Sequence, residues 1–327
     1  MCEANDAGSF EKAARLLRNL AGLSISPKRV ELITERVGKT LREEAESRTQ
    51  RFLTRRTPKG TGPRPALIVV SMDGGRVQTR QADPKEKWKE DKVGVVYDAS
   101  PCPERAGAEY EGPPPRTRSL CATMASWERL GDRLSALADA RGYARALQRV
   151  CIGDGATAIR SLKERCFPDA VFILDWAHAV GHLHQIAQAA LGPGAKAESW
   201  HERQKDRLWH GRLAKILSQI GRFCRRAGPP PKHAAENDPR RILANNLHYF
   251  QTNRAAMNYP AFRKNGWPIG SGIIESIIKQ IGKRVKGTEK HWSLTGAEET
   301  LHVIAQLIAD DGAWNDFWKR CPLARAA

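Results

Sequence analysis

The sequence predicts an α/β protein in which a mixed sheet is flanked by helices and followed by a mainly helical second half. Five runs with strand character fall between residues 66 and 174. The segments between the later runs carry apolar residues at helical spacing, giving the order three strands, helix, strand, helix, strand. From residue 176 onward the periodicity is helical, interrupted at "RRAGPPPKHAAENDP".

Residues 9–48 read as two helices. Phe10, Ala13, Leu16, Leu17 and Leu20 form the first apolar stripe, and Val30, Ile33, Val37 and Leu41 form the second. Ser26 suits an N-cap, with Pro27 at the first helical position. A helical pair over 1–47 has the form of a helix-turn-helix DNA-binding unit, and an ordinary helical hairpin fits it equally well. Residues 48–65, "RTQRFLTRRTPKGTGPRP", hold six Arg or Lys and no acid, and read as a basic linker. Six phosphate contacts there would give a salt slope of about −5 in log affinity against log salt.

"ALIVVSM" (66–72) suits a buried central strand, and "RVQTR" (76–80) and "KVGVVY" (92–97) suit two more. The Pro- and Gly-rich span 98–121 reads as a loop and 122–141 as a helix, with Trp127, Leu130, Leu134 and Leu137 on one face. "QRVCI" (148–152) and "AVFIL" (170–174) are the fourth and fifth strands, with a short helix between them. Helices follow over 176–224, 239–257, 270–287 and 296–310.

The 327 residues carry 54 Lys and Arg against 36 Asp and Glu, a formal net charge of +18. Such a field attracts polyanions, nucleic acid first. A hydrophobic content of 41% is enough for a core. The seven cysteines form no C-x-x-C pair. Cys151, Cys166 and Cys224 sit in apolar patterns, as reduced thiols in a cytosol would. No run of 18 apolar residues and no signal peptide is seen, so a cytoplasmic location is expected.

Three carboxylates stand where an α/β sheet places ligands. Asp73 follows the first strand and Asp154 the fourth, each with Gly after it. Glu275 is the one acid between Asp238 and Glu289, one turn into the helix of "GSGIIESIIKQIGKRVKG". Ser271 suits the cap of that helix. Such a trio suits Mg²⁺ or Mn²⁺, which prefer oxygen ligands and share them with substrate phosphates. Taken singly, each has a plainer reading: turn residues for the aspartates, an i,i+4 pair with Lys279 for Glu275. Asp175, His178 and His182 offer a competing transition-metal half-site, or else an N-cap followed by two histidines bonded near the core.

The blocks "VVSMDGGRVQTR", "EDKVGVVYD", "IGDGATAI", "FPDAVFILDWAHAVGHL", "YPAFRKNGWPIGSGIIESIIKQIGKRVKGTEKHW" and "GAEETL", in this order, resemble the ISKra group of bacterial insertion-sequence transposases. These are similar to the mutator-like branch of the DDE transposases. The likeness runs from about residue 66 to the C-terminus. It implies a ribonuclease H-like core, begun by 66–175 and completed by the helices of 266–327, with an α-helical insertion over 176–265. It implies Asp73, Asp154 and Glu275 as the catalytic triad on two Mg²⁺ or Mn²⁺ ions. Asp175 and His178 match a family motif that supports the site or contacts DNA, and Asp175 is the alternative to Asp154 as the second catalytic acid. The expected partners are the double-stranded DNA of transposon ends and target, held by a homodimer or larger assembly in the bacterial nucleoid. Arg55, Arg56, Lys59, Lys279, Lys283, Arg284, Lys286 and Lys290 are then phosphate contacts, with Trp292 stacking on a base or sugar or else packing in the core. A DNA-binding copy without catalysis and a nuclease without strand transfer are the alternative functions.

Overall fold

The computed structural model describes residues 8–56, 64–81, 83, 86–106, 109–287 and 289–320. Lys59 lies outside them. The strands are β1 (Leu67–Gln78), β2 (Trp88–Ala99), β3 (Pro115–Thr123), β4 (Gln148–Gly153) and β5 (Val171–Leu174). The helices before and within the sheet region are α1 (Phe10–Ala21), α2 (Pro27–Leu53), α3 (Trp127–Ala140) and α4 (Thr157–Cys166). After it come α5 (Trp176–Leu191), α6 (Ala195–Trp209), α7 (Leu213–Ala227), α8 (Pro239–Thr252) and α9 (Tyr259–Lys264). The chain closes with α10 (Gly272–Val285), α11 (Leu294–Ile308) and α12 (Ala313–Arg320).

The five strands form one sheet in the order β3-β2-β1-β4-β5. β1, β2 and β3 are an antiparallel meander, while β4 and β5 run parallel to β1. With helices on both faces, this is the mixed sheet of a ribonuclease H-like α/β fold. Side chains alternate between the faces. Leu67, Val69, Val93, Val95, Val150 and Ile152 pack in one core with residues of α5, α10 and α11. Ile68, Val70, Met72, Val96 and Cys151 pack in the other with residues of α3 and α4.

Two sequence expectations change here. The runs 66–72 and 76–80 are one strand, because Asp73, Gly74 and Gly75 stay in the ladder opposite Val93, Lys92 and Asp91. Asp73 therefore sits within β1 and not after it. The strand missing from the expected set is β3, inside the span read as a loop. It is an edge strand that opens on Pro115 and alternates Arg116 and Arg118 with Thr117 and Ser119. Edge positions tolerate Pro and charge, so the apolar signal begins only at Leu120. The helix read as 122–141 accordingly starts at Trp127.

The N-terminal helices are built onto the core. Ser26 caps α2, accepting from the Arg29 N–H at 3.2 Å. α2 meets no helix breaker until after Leu53, so the first six residues of the expected linker are helical. Its buried residues Val37 and Leu41 pack with Val303 and Phe317. At Gly38 the α2 and α11 backbones are so close that a Cβ would lie 2.1 Å from the Glu299 carbonyl oxygen. With its apolar stripe packed in this way, α2 is a layer of the domain. No disulfide joins the described cysteines, and no described helix is long and apolar enough to cross a membrane.

A buried polar network locks α2, α3 and α11. Arg42 bonds Glu299 at 3.1 Å, and Arg133 bonds Glu298 at 3.0 Å and Glu46 at 3.4 Å. Burial alone would raise the Glu298 pKa, but hydrogen bonds from His302, the Met124 N–H and the Thr123 hydroxyl outweigh it and hold the group at about 2. The folded value lies below the unfolded one, so this stabilisation is complete above the ordinary carboxylate range and is lost as pH falls toward 2. In urea titrations, Glu298→Gln is expected to cost about 3 kcal/mol at neutral pH. The gap from the unsubstituted protein should close between pH ~4.5 and ~2.

Candidate active site

Strand parity puts Asp73 on the face of Leu67 and Val69, the face covered by α5 and α10. Asp154 directly follows β4, where Gly155 takes φ 81° and lets the chain turn toward α4. Glu275 lies in the first turn of α10, which packs on β1. Asp73 is half-buried, and burial pushes its carboxyl pKa up. The charges of Asp154 and Glu275 push it the same way, against the Gly74 N–H and His178. Asp154 and Glu275 thus both act electrostatically on Asp73, but among the described residues no group of three acids, histidines or cysteines that includes Asp73 or Asp154 brings its ligand atoms within 4.8 Å.

Each of the three is held at one oxygen. Asp73 Oδ1 accepts from the Gly74 N–H at 2.7 Å, and Asp154 Oδ1 accepts from the Ala156 N–H at 2.8 Å. Glu275 Oε1 accepts from the Ser271 hydroxyl at 3.2 Å. The second oxygens of Asp73 and Asp154 have no hydrogen-bond partner among the described residues, and Glu275 Oε2 lies 3.9 Å from Lys279 Nζ. Carboxylates with spare oxygens that repel one another fit a hard divalent cation, which supplies the missing positive charge. Ser271 does not use its hydroxyl as a helix cap: its backbone, at φ −90° and ψ 18°, is not in the extended conformation of an N-cap, and the hydroxyl donates to Glu275.

The competing group is real but differently composed. Among the described residues, ligand atoms of Asp175, His178 and Glu275 come within 4.8 Å of one another. His182 is not part of it, since its Nδ1 pairs with Asn246 Oδ1 at 2.7 Å and its ring stacks on Tyr249. Asp175 is fully buried. Its Oδ1 accepts from the His178 N–H at 2.7 Å, capping α5, and its Oδ2 accepts from the Ser271 N–H. The Trp176 N–H adds a bond to the Ile269 carbonyl at 2.9 Å. Asp175 is therefore a clamp that fixes the start of α10, and through Ser271 the Glu275 carboxylate.

The expected DNA-contact residues divide. Arg55, Arg56, Lys279 and Lys283 are exposed, while Lys286 is partly covered and lies against Gly282. Arg284 and Lys290 turn inward: Arg284 bonds the Gln280 carbonyl at 2.9 Å, and Lys290 bonds the Arg284 carbonyl at 2.9 Å. They satisfy carbonyls at the C-terminal end of α10. Trp292 is a packing residue. Its indole N–H donates to the Val285 carbonyl at 2.9 Å, its ring meets Phe10, and its backbone pairs with the end of β1.

Sequence reasoning passed over Asp91. It is 1% exposed, and neither carboxylate oxygen has a hydrogen-bond partner among the described residues. A Cβ at Gly75, directly across the ladder, would lie 2.6 Å from Asp91 Oδ1, so the second glycine of "DGG" makes room for this acid. Burial raises the Asp91 pKa, countered by Lys286 and Lys92. The signal was an acid at the same parity as Val93 and Val95.

Asp175→Ala would strand the His178 and Ser271 N–H groups and is expected to cost about 2–5 kcal/mol. Amide exchange should rise first in the opening turns of α5 and α10. An unchanged melting curve would exclude the clamp.

No family model and no curated protein matches the chain. Among solved structures, the chain is similar to one described as "Drosophila P element transposase strand transfer complex", at 10% identity and a TM-score of 0.33, covering 76% of this chain and 80% of that one.

Proposed function

We propose that the protein is a transposase of the ISKra kind, a metal-dependent enzyme that cuts DNA at the ends of an element and joins the freed 3′-OH to target DNA. The observation that supports this reading is electrostatic: the charges of Asp154, just after β4, and of Glu275, in α10, both act on Asp73 in β1 and raise its pKa. The ordered sequence blocks and the net charge of +18 support it.

Asp73, Asp154 and Glu275 would hold the divalent ions, with the Asp175 clamp keeping Glu275 in place. Bound Mg²⁺ or Mn²⁺ supplies an activated oxygen nucleophile and neutralises charge on the scissile phosphate. In the first reaction a water oxygen bonds to phosphorus while the bond to the 3′-oxygen breaks, leaving a 3′-OH. In the second, that 3′-oxygen bonds to a target phosphorus and displaces the adjoining strand end. Lys279 and Lys283 lie on the exposed side of α10 and suit phosphate contact. Joining two ends to one target calls for two or more copies of the chain on DNA.

The test is a nicking and strand-transfer assay with Mn²⁺ and duplexes carrying the sequences that flank this gene. Asp73→Asn, Asp154→Asn and Glu275→Gln should each lower both reactions by about 10²-fold or more. DNA binding without nicking would support the non-catalytic alternative, for which the Glu275–Lys279 pair at 3.9 Å suffices. Nicking without joining would support the nuclease.

A further inference from the structure

A cavity of about 380 Å³ opens directly beside Asp154, between the start of α4, one side of α5 and the exposed side of α8. Pockets for small ligands begin at roughly 300 Å³. Its walls carry both polar and aromatic side chains. Asn245 and His248 present an amide and an imidazole from α8, and Arg160 and Thr157 line it from α4. Tyr249 and His182 form one wall, their rings stacked on each other with centroids 3.8 Å apart. The Tyr249 hydroxyl donates to the Asp154 carbonyl at 2.7 Å, so this wall is fixed to the residue proposed to bind metal.

Two further residues close its inner edge. Asn253 lines it and is 4% exposed, yet its Oδ1 has no hydrogen-bond partner among the described residues, while its Nδ2 is used by the Tyr249 carbonyl. Gly155 also lines it, and a Cβ there would come within 2.7 Å of Leu174 and 2.9 Å of Asn253. Aromatic rings, amide and imidazole edges and a guanidinium are the groups that recognise a base and its phosphate.

We propose that this cavity holds one nucleotide of the DNA strand, its base unstacked from its neighbours, next to the phosphate presented to Asp154. The inference rests on the transposase reading for the identity of the strand, but not for the binding chemistry. It gives α8, part of the helical region after β5, a direct task at the active site. Unstacking costs a few kcal/mol and is least costly at a strand end or a mispaired step.

The test uses an eight-nucleotide single strand of deoxyadenosine and an abasic eight-mer with the same phosphates, bound in EDTA by fluorescence anisotropy. The unsubstituted protein should hold the base-containing strand at least about fivefold more tightly, in line with base stacking. Asn245→Ala combined with His248→Ala changes two exposed side chains of α8 and should erase that preference. Affinity for the abasic strand should stay within about twofold, since phosphate contacts set it. Equal affinity of the unsubstituted protein for both strands would overturn the proposal, as would a preference that survives the double substitution with circular dichroism unchanged. Nicking without base preference would remove the cavity's role and leave the transposase reading. Base preference without nicking would remove the transposase reading and leave the nucleotide site.

Discussion

The carboxylate of Asp175 accepts two backbone N–H groups that lie 93 residues apart in the chain, those of His178 and Ser271. Buried from solvent, it must satisfy its charge internally, and it does so by joining the start of α5 to the turn before α10. The consequences reach the chemistry. The Ser271 hydroxyl holds Glu275, and α10 lies on β1, where Asp73 projects. The geometry of the three acids thus depends on a fourth that has no free oxygen of its own. Asp175 thus lies beside His178 and Glu275 with one lone pair of each oxygen already taken by a backbone N–H.

Around this point the molecule separates its charges. The acids of the site repel one another on a half-buried face, while Lys279 and Lys283 stand exposed along the same helix that carries Glu275. The close Lys279–Glu275 approach is compatible with both roles: exposed pairs contribute little energy, so the lysine is free to exchange its partner for a phosphate. Elsewhere, Glu298, Arg133 and His302 form a second polar group, which fixes α2 and α11 on the sheet. Perturbed acids occur in both places, and only the one with spare oxygens suits a ligand.

Much of this was legible in the sequence, for reasons that differ by residue. Asp154 was visible because Asp-Gly after an apolar run marks a sharp turn at a strand end, and Gly155 does take the positive φ that the turn needs. Asp73 reads from sequence as a residue just past a strand end, whereas Gly74 and Gly75 continue the strand and serve to admit neighbouring side chains. β3 was hidden because an edge strand needs no apolar run. The Ser271–Glu275 bond and the inward turn of Arg284 and Lys290 were not readable at all. They depend on which local partner wins, and helix-capping rules favoured a different one for Ser271.

The central claim is that Asp73, Asp154 and Glu275 form one divalent-metal site. Titration of the purified protein with Mn²⁺, followed by the loss of the free-ion electron paramagnetic resonance signal, tests it most directly. Saturable binding that weakens by about tenfold or more in Asp73→Asn, Asp154→Asn and Glu275→Gln alike is the predicted result. Binding that is indifferent to Asp73 and Asp154 but lost in His178→Ala would contradict it and assign the ion to the Asp175, His178 and Glu275 group.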